Sequence, residues 1–218
     1  MAVIIPYGST ALESLSTQIT LVLRRGGLTA IPTETFYGLG VNPFDRTALS
    51  RLRTVKGRGE GQPILVLLGS LNDLTLFVEH IPSAAALLME AFWPGALTIV
   101  FPARASVPSA VTAGTGRVGV RLSPCQPLRE LLERVGPLTG TSANRSGAPP
   151  ARTACEVEQA FGEEVDLIID AGPTPGGVPS TVVDAGDRLH IVREGAVAGG
   201  AIEAALRAGG FSLKDAQM

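Results

Sequence analysis

Ile31–Gly40, IPTETFYGLG, is the stretch on which the reading of this chain turns. Just upstream, Leu28, Ala30 and Ile31 make the kind of apolar run that forms a short buried strand. Pro32 ends that strand, because proline brings no N–H to a ladder. Thr33, Glu34 and Thr35 then place two hydroxyls and a carboxylate at a strand's end, where the loops of α/β folds bind small polar molecules. Gly38 and Gly40 permit tight backbone geometry or the close approach of a ligand.

Working outward, the flanks alternate helix and strand. Upstream, Thr10-x-x-Glu13 is a capping-box pattern, and Leu12, Leu15, Ile19, Val22 and Leu23 share one helical face up to Gly26-Gly27. Downstream, Asp45 or Thr47 starts a helix through Leu49, Leu52 and Val55. It delivers Lys56-Gly57-Arg58 to its C-terminal end, where cations suit the macrodipole. GRGEGQP breaks the pattern before a strand over Ile64–Leu68. Helices are expected over Leu71–Phe77 and Ser83–Phe92, and strands over Leu97–Phe101 and Val118–Leu122, with a loop over 102–116 between those strands. A helix over Leu128–Val135 with Pro127 in its first turn leads to a strand over Leu138–Thr141, which enters SANRSG. Thr153-x-x-Glu156 caps a further helix ending at Gly162. Strands follow over Leu167–Ile169, Thr181–Asp184 and Leu189–Arg193, then a weak helix over Ile202–Leu206. Without repeat or linker, this is one α/β domain over residues 1–208, with 209–218 expected as a loose tail.

Composition narrows the function classes. The 218 residues are 45% hydrophobic and 17% charged, enough for a substantial core and unlike a disordered chain. A net charge of −2 gives no overall basic attraction to nucleic acid or an anionic membrane. Cys125 and Cys155 lack metal-ligand spacing and read as buried or partly buried free thiols, for which a reducing cytoplasm is the simplest compartment. The apolar run near the start is too short for a signal peptide, and no run of about 18 apolar residues suggests a membrane span.

The chemistry-bearing residues lie in loops after strands: PTET, KGR, VR at 120–121, SANRSG, PST at 179–181 and VREG at 192–195. Hydroxyls, amides and cations of this kind hold phosphates and carboxylates through charge-assisted hydrogen bonds. His80 and His190 are isolated, and no Cys/His cluster, G-x-S-x-G or P-loop motif is present. Anion binding and positioning are therefore expected, in preference to nucleophilic or zinc chemistry.

The blocks IPTETFYGLG, VKGR, WPGALTIVFP, VGVRL, GTSANRSGAPP, STVVD and IVREG stand in the order found in the YrdC-like threonylcarbamoyl-adenylate synthases, which the chain resembles over roughly residues 10–200. The resemblance implies an open, twisted mixed β-sheet with flanking helices and a large positively lined cavity. It implies synthesis of threonylcarbamoyl-AMP and pyrophosphate from L-threonine, bicarbonate and ATP, with Mg2+ accompanying ATP and no metal ligand assigned in the chain. The product serves the N6-threonylcarbamoyl modification of adenosine 37 in tRNA, through downstream tRNA threonylcarbamoyl-transferase proteins. Because the chain ends soon after VREG, it resembles the single-domain form of the family.

By position, the resemblance assigns Lys56, Arg58, Gln62, Ser142, Asn144 and Arg193 to ATP, with Lys56 and Arg58 as the catalytic pair. It assigns Thr33, Thr35, Arg121 and Ser180 to threonine, with Arg121 suited to the α-carboxylate and Tyr37 shaping the pocket. Glu34 is the nearest general-base candidate, although bonding to local backbone is its plainer role. Four positions depart from the family pattern: Gly59 replaces a proline, Gln62 an asparagine, Leu67 a histidine of some relatives, and Arg117 a threonine or serine. A noncatalytic module whose concavity contacts RNA, a related carbamoyl-transfer enzyme and an inactive paralogue are the alternatives.

Overall fold

A computed structural model describes residues 2–8, 12–59, 61–186 and 189–213. The mixed α/β class is as expected, but the strands divide between two sheets. In spatial order the five-stranded sheet holds β1 (Val3–Pro6), β9 (Leu167–Asp170), β2 (Thr29–Ile31), β3 (Gly38–Gly40) and β8 (Thr141–Ser142). Its first three strands are parallel and its last three antiparallel. The six-stranded sheet holds β11 (His190–Arg193), β10 (Thr181–Asp184), β5 (Leu97–Pro102), β6 (Arg117–Leu122), β4 (Val66–Leu68) and β7 (Leu138–Thr139). Parallel pairs β10–β5 and β6–β4 alternate there with antiparallel ones.

Two expected elements change character. Gly38–Gly40 is a buried strand, and neither of its glycines has positive φ. Their use is close packing: a Cβ on Gly40 would lie 3.1 Å from Thr29 Oγ1 and 3.3 Å from Leu138 Cδ1. The run Leu138–Thr141, expected as one strand, switches sheets at Gly140, pairing with β4 before it and with β3 after it. A Cβ on Gly140 would come within 2.5 Å of Leu67 Cγ, so glycine is what lets the chain pass.

The helices follow their local signals. Helix α1 (Leu12–Arg24) buries Leu15, Ile19, Val22 and Leu23, while the expected cap at Thr10 lies outside the described residues. Asp45, rather than Thr47, caps α2 (Arg46–Lys56), its Oδ1 accepting from the backbone N–H of Thr47 and Ala48. Gly57 closes α2 at φ 61° in the left-handed region that glycine enters freely. The expected helix over Leu71–Phe77 is a 3-10 turn (Leu71–Asp73) followed by α3 (Leu74–Phe77), and α4 (Ser83–Phe92) has its expected bounds. A short α5 (Ser109–Thr112) interrupts the expected loop over 102–116, and α6 (Gln126–Val135) carries Pro127 in its first turn. Thr153 Oγ1 accepts from Glu156 N to cap α7 (Ala154–Phe161), and α8 (Gly199–Ala208) packs on α4. Cys125 precedes α6 and is half-buried, whereas Cys155 on α7 is exposed, contrary to its expected burial.

Strand alternation sends side chains to separate cores. Ile5, Ile31, Leu167 and Ile169 join α1 and α6 in one cluster. Ala30 and Ile168, on the opposite face, join a larger cluster with Leu97, Ile99, Phe101, Val118, Val120 and Val183 of the six-stranded sheet. Strand β1 is not expected from the sequence; of its four residues only Ile5 is buried, and pairing with β9, far along the chain, makes it a strand. Phe211 and Leu213 pack against the larger cluster, and residues 214–218 of the expected tail lie outside the described residues.

Candidate active site

The face of the six-stranded sheet turned away from that core is the floor of a cavity of about 570 Å³. On β6, Arg117, Gly119 and Arg121 line it at every second position, and Val118, Val120 and Leu122 point to the core. Thr98 and Val100 of β5, and Val182 and Asp184 of β10, continue the same floor. The walls include Thr33, Thr35, Tyr37 and Gly38, then Arg58, Thr141, Ser142, Ser180 and Arg193. The cavity therefore draws on both sheets.

Of the residues expected at the ATP site, Arg58, Ser142 and Arg193 line this cavity. Arg58 donates to Thr141 Oγ1 (3.2 Å), Pro63 O (2.6 Å) and Gln62 O (3.4 Å). Arg193 Nη2 donates to Ser180 O at 2.7 Å. Lys56 turns inward from the end of α2 instead of sitting solvated there. Its ammonium donates to Ser142 O (2.6 Å), Asn144 O (2.8 Å) and Asn144 Oδ1 (3.0 Å). Asn144 is also used within its loop: Oδ1 accepts from Ser142 Oγ at 2.6 Å and Nδ2 donates to Ala148 O at 2.7 Å. Lys56 and Asn144 thus hold the loop that presents Ser142 and are not among the lining residues. Gln62 is exposed and also outside the lining.

All four expected threonine residues, Thr33, Thr35, Arg121 and Ser180, line the cavity. Thr33 Oγ1 donates to Phe36 O at 2.7 Å and accepts from Thr35 N at 3.2 Å, which curls the loop and sets the Thr35 hydroxyl. Ser180 Oγ shares a 2.9 Å hydrogen bond with Thr98 Oγ1. Tyr37 both lines the cavity and is fully buried, its hydroxyl donating to Gly172 O at 2.8 Å. Leu67, at the position of the histidine of some relatives, lies in the α1–α6 core and outside this lining.

Glu34 does not bond local backbone. It faces Arg121 Nη1 at 3.3 Å and accepts from Ser123 Oγ at 2.5 Å. Burial lowers the pKa of Arg121, opposed by Glu34 and reinforced by Arg193. Glu34 and Thr33 also line a second, mainly apolar cavity of about 430 Å³, shared with Tyr7, Cys125 and Leu128.

Thr98, Gly119 and Asp184 were not singled out from the sequence, although the period-two pattern of β5, β6 and β10 would have placed them beside Arg121 and Ser180. Among the described residues no group of three or more His, Cys, Asp or Glu could hold a metal ion. Asp184, the one carboxylate lining the cavity among the described residues, accepts through Oδ1 from Arg117 Nη1 (2.7 Å) and Gly186 N (2.8 Å). The described residues do not form a magnesium cage. No described helix is long and apolar enough to cross a membrane.

The chain is similar to known proteins in sequence and fold. The chain is 41% identical over 165 residues to a threonylcarbamoyl-AMP synthase of Pyrococcus abyssi, covering 74% of this chain and 48%, about half, of that relative. It is 38% identical over 163 residues to a threonylcarbamoyl-AMP synthase of Thiobacillus denitrificans, covering 74% of this chain and 86% of that one. A crystal structure of P. abyssi Sua5 complexed with L-threonine superposes with a TM-score of 0.87 at 32% identity, covering 98% of this chain and 62% of that chain. The model of the Sua5/YciO/YrdC family, described under telomere recombination, matches residues 21–195, and the chain belongs to that family.

Proposed function

We propose that this chain forms L-threonylcarbamoyl-AMP and pyrophosphate from L-threonine, bicarbonate and ATP. The observation that carries the reading is the shared cavity. It holds Arg58 and Arg193, whose hydrogen bonds go to neutral acceptors, together with Arg121, Thr35 and Ser180. The solved Sua5 complex with L-threonine supports the same reading. Arg121 takes the α-carboxylate of threonine, and Thr35 and Ser180 meet its hydroxyl. Arg58, Arg193 and Ser142 take the triphosphate.

The chemistry is mainly positioning. The neutral amine of threonine adds to carbon dioxide drawn from bicarbonate and loses a proton, leaving an N-carboxylate. That carboxylate oxygen attacks the α-phosphorus of ATP, and the bond to the β-phosphate oxygen breaks to release pyrophosphate. Arg58 and Arg193 offset charge on the phosphates, an arrangement worth most in a site that excludes water. Near-attack alignment contributes roughly 7–11 kcal/mol in favourable cases. Lys56 acts by holding the Ser142 loop. Magnesium enters as the counterion of ATP, on the substrate's own phosphates. The product passes to tRNA threonylcarbamoyl-transferase proteins in the cytoplasm, where a reducing milieu suits the free thiols of Cys125 and Cys155.

The test is a pyrophosphate-release assay with each reactant left out in turn. Release is expected only with L-threonine, bicarbonate, ATP and Mg2+ together, and equal release without threonine would sink the proposal. Valine should be a much poorer substrate, because a site built to bond a hydroxyl loses the hydrogen bonds that Ser180 and Thr35 would make to it.

A further inference from the structure

Among the described residues four arginines line the main cavity, but they differ in what faces them. Arg117 pairs with Asp184 at 2.7 Å and Arg121 with Glu34 at 3.3 Å. Arg58 and Arg193 reach only neutral hydrogen-bond acceptors among the described residues. One part of the cavity wall is thus close to neutral and another keeps its positive charge.

The neutralised arginine is also the more deeply enclosed. Arg121 is 5% exposed, and its Nε and the Oε1 of Glu34 are buried without a hydrogen-bond partner. Glu34 Oε1 faces Arg121 Nη1 instead, so the two charges meet each other in a pocket closed to solvent, where their interaction is screened least. Glu34 does not line the main cavity. It lines the smaller one on the other side of the Thr33–Glu34 wall, where Ser123 holds its carboxylate. A ligand on Arg121 would feel the charge of Glu34 across the guanidinium.

Granted that Arg121 meets the substrate carboxylate as proposed above, we propose that Glu34 is a specificity-determining residue that turns an anion site into a zwitterion site. A bare Arg121 would attract any anion, including the phosphates meant for Arg58 and Arg193. With Glu34 behind it, the carboxylate end of a ligand gains less and its ammonium end gains more, so a net-neutral amino acid is favoured over a simple anion. For charges some 7–8 Å apart in a partly screened site, the effect is on the order of tenfold in affinity.

The test compares L-threonine with β-hydroxybutyrate, which is threonine without its amine, by calorimetric titration. The unmodified protein should bind threonine at least about tenfold more tightly, and equal or tighter binding of β-hydroxybutyrate overturns the inference whatever any variant does. Glu34→Gln keeps the shape and the Ser123 contact but removes the charge. It should narrow the preference on the order of tenfold, chiefly by tightening β-hydroxybutyrate. A folded Glu34→Gln protein with unchanged preference overturns the inference, whether both ligands weaken together, as for a purely orienting group, or only turnover falls, as for a proton acceptor. Arg121→Gln separates the two levels. It should weaken both ligands, and if threonine binding survives it, the placement of threonine at Arg121 falls and the inference with it. Unchanged preference in Glu34→Gln alongside a deficient Arg121→Gln removes the role of Glu34 alone.

Discussion

At the last residue of α2, Lys56 offers three N–H groups to three acceptors, the arrangement of a charged ammonium. Burial, with Arg58 adding to it, lowers its pKa from 10.5 to about 8. The folded chain holds this proton more weakly than the unfolded one. Stability from this group therefore rises with pH between about 8 and 10.5, and is pH-independent below about 8, where both states are protonated. Lys56→Met should flatten that slope in urea denaturation across the same window, and a slope equal to wild type would place the titration elsewhere. Arg58 can be probed more directly. Loss of a desolvated charge partner costs ~2–5 kcal/mol, so Arg58→Ala should lose most of its ATP affinity. Arg58→Lys should be impaired too, because a point charge does not reproduce the planar fork that spans Thr141, Pro63 and Gln62. Near-normal ATP titration of a folded Arg58→Ala would remove Arg58 from the nucleotide site.

Among the elements, the β7–β8 crossing depends on a close approach of backbone to a buried side chain. Leu138–Thr139 belongs to one sheet and Thr141–Ser142 to the other, and the backbone at Gly140 passes within van der Waals reach of Leu67. Gly140→Ala forces a methyl against the buried Leu67 side chain, and overpacking of this kind costs ~1–3 kcal/mol. The unfolding free energy from urea denaturation should fall by that amount, read as a lower midpoint at unchanged m-value. A neutral result would mean that Leu67 can move aside, and the crossing would then not depend on glycine. Ser142 lines the cavity immediately after this crossing, so the variant should also weaken ATP binding.

For the whole molecule, a cavity lined by both sheets makes ligands into a brace between them. A ligand at 100 times its Kd stabilises the fold by ~2.7 kcal/mol. In a domain of this size that corresponds to a rise of roughly 5–10 °C in Tm. ATP with Mg2+ and L-threonine should each raise Tm in a thermal melt. If neither does, the cavity is not the substrate site.

What the sequence by itself determined is local. Leu15, Ile19, Val22 and Leu23 at helical spacing, Asp45 and Gly57 at the ends of α2, and the apolar run of Leu97–Phe101 act over a few residues and needed no partner to be read. The order of the blocks also placed Thr35, Arg121, Ser142, Ser180 and Arg193, and all of these line one cavity. Tertiary structure alone decided where charges and hydrogen bonds go. Lys56 turns from helix end to loop anchor because Ser142 and Asn144, 86 and 88 positions away, supply its acceptors. Glu34 leaves its own backbone for Ser123, 89 positions away, and for Arg121. Gly140 marks a change of sheet that an apolar run cannot announce, because periodicity reports which face is buried and not which strand will lie alongside.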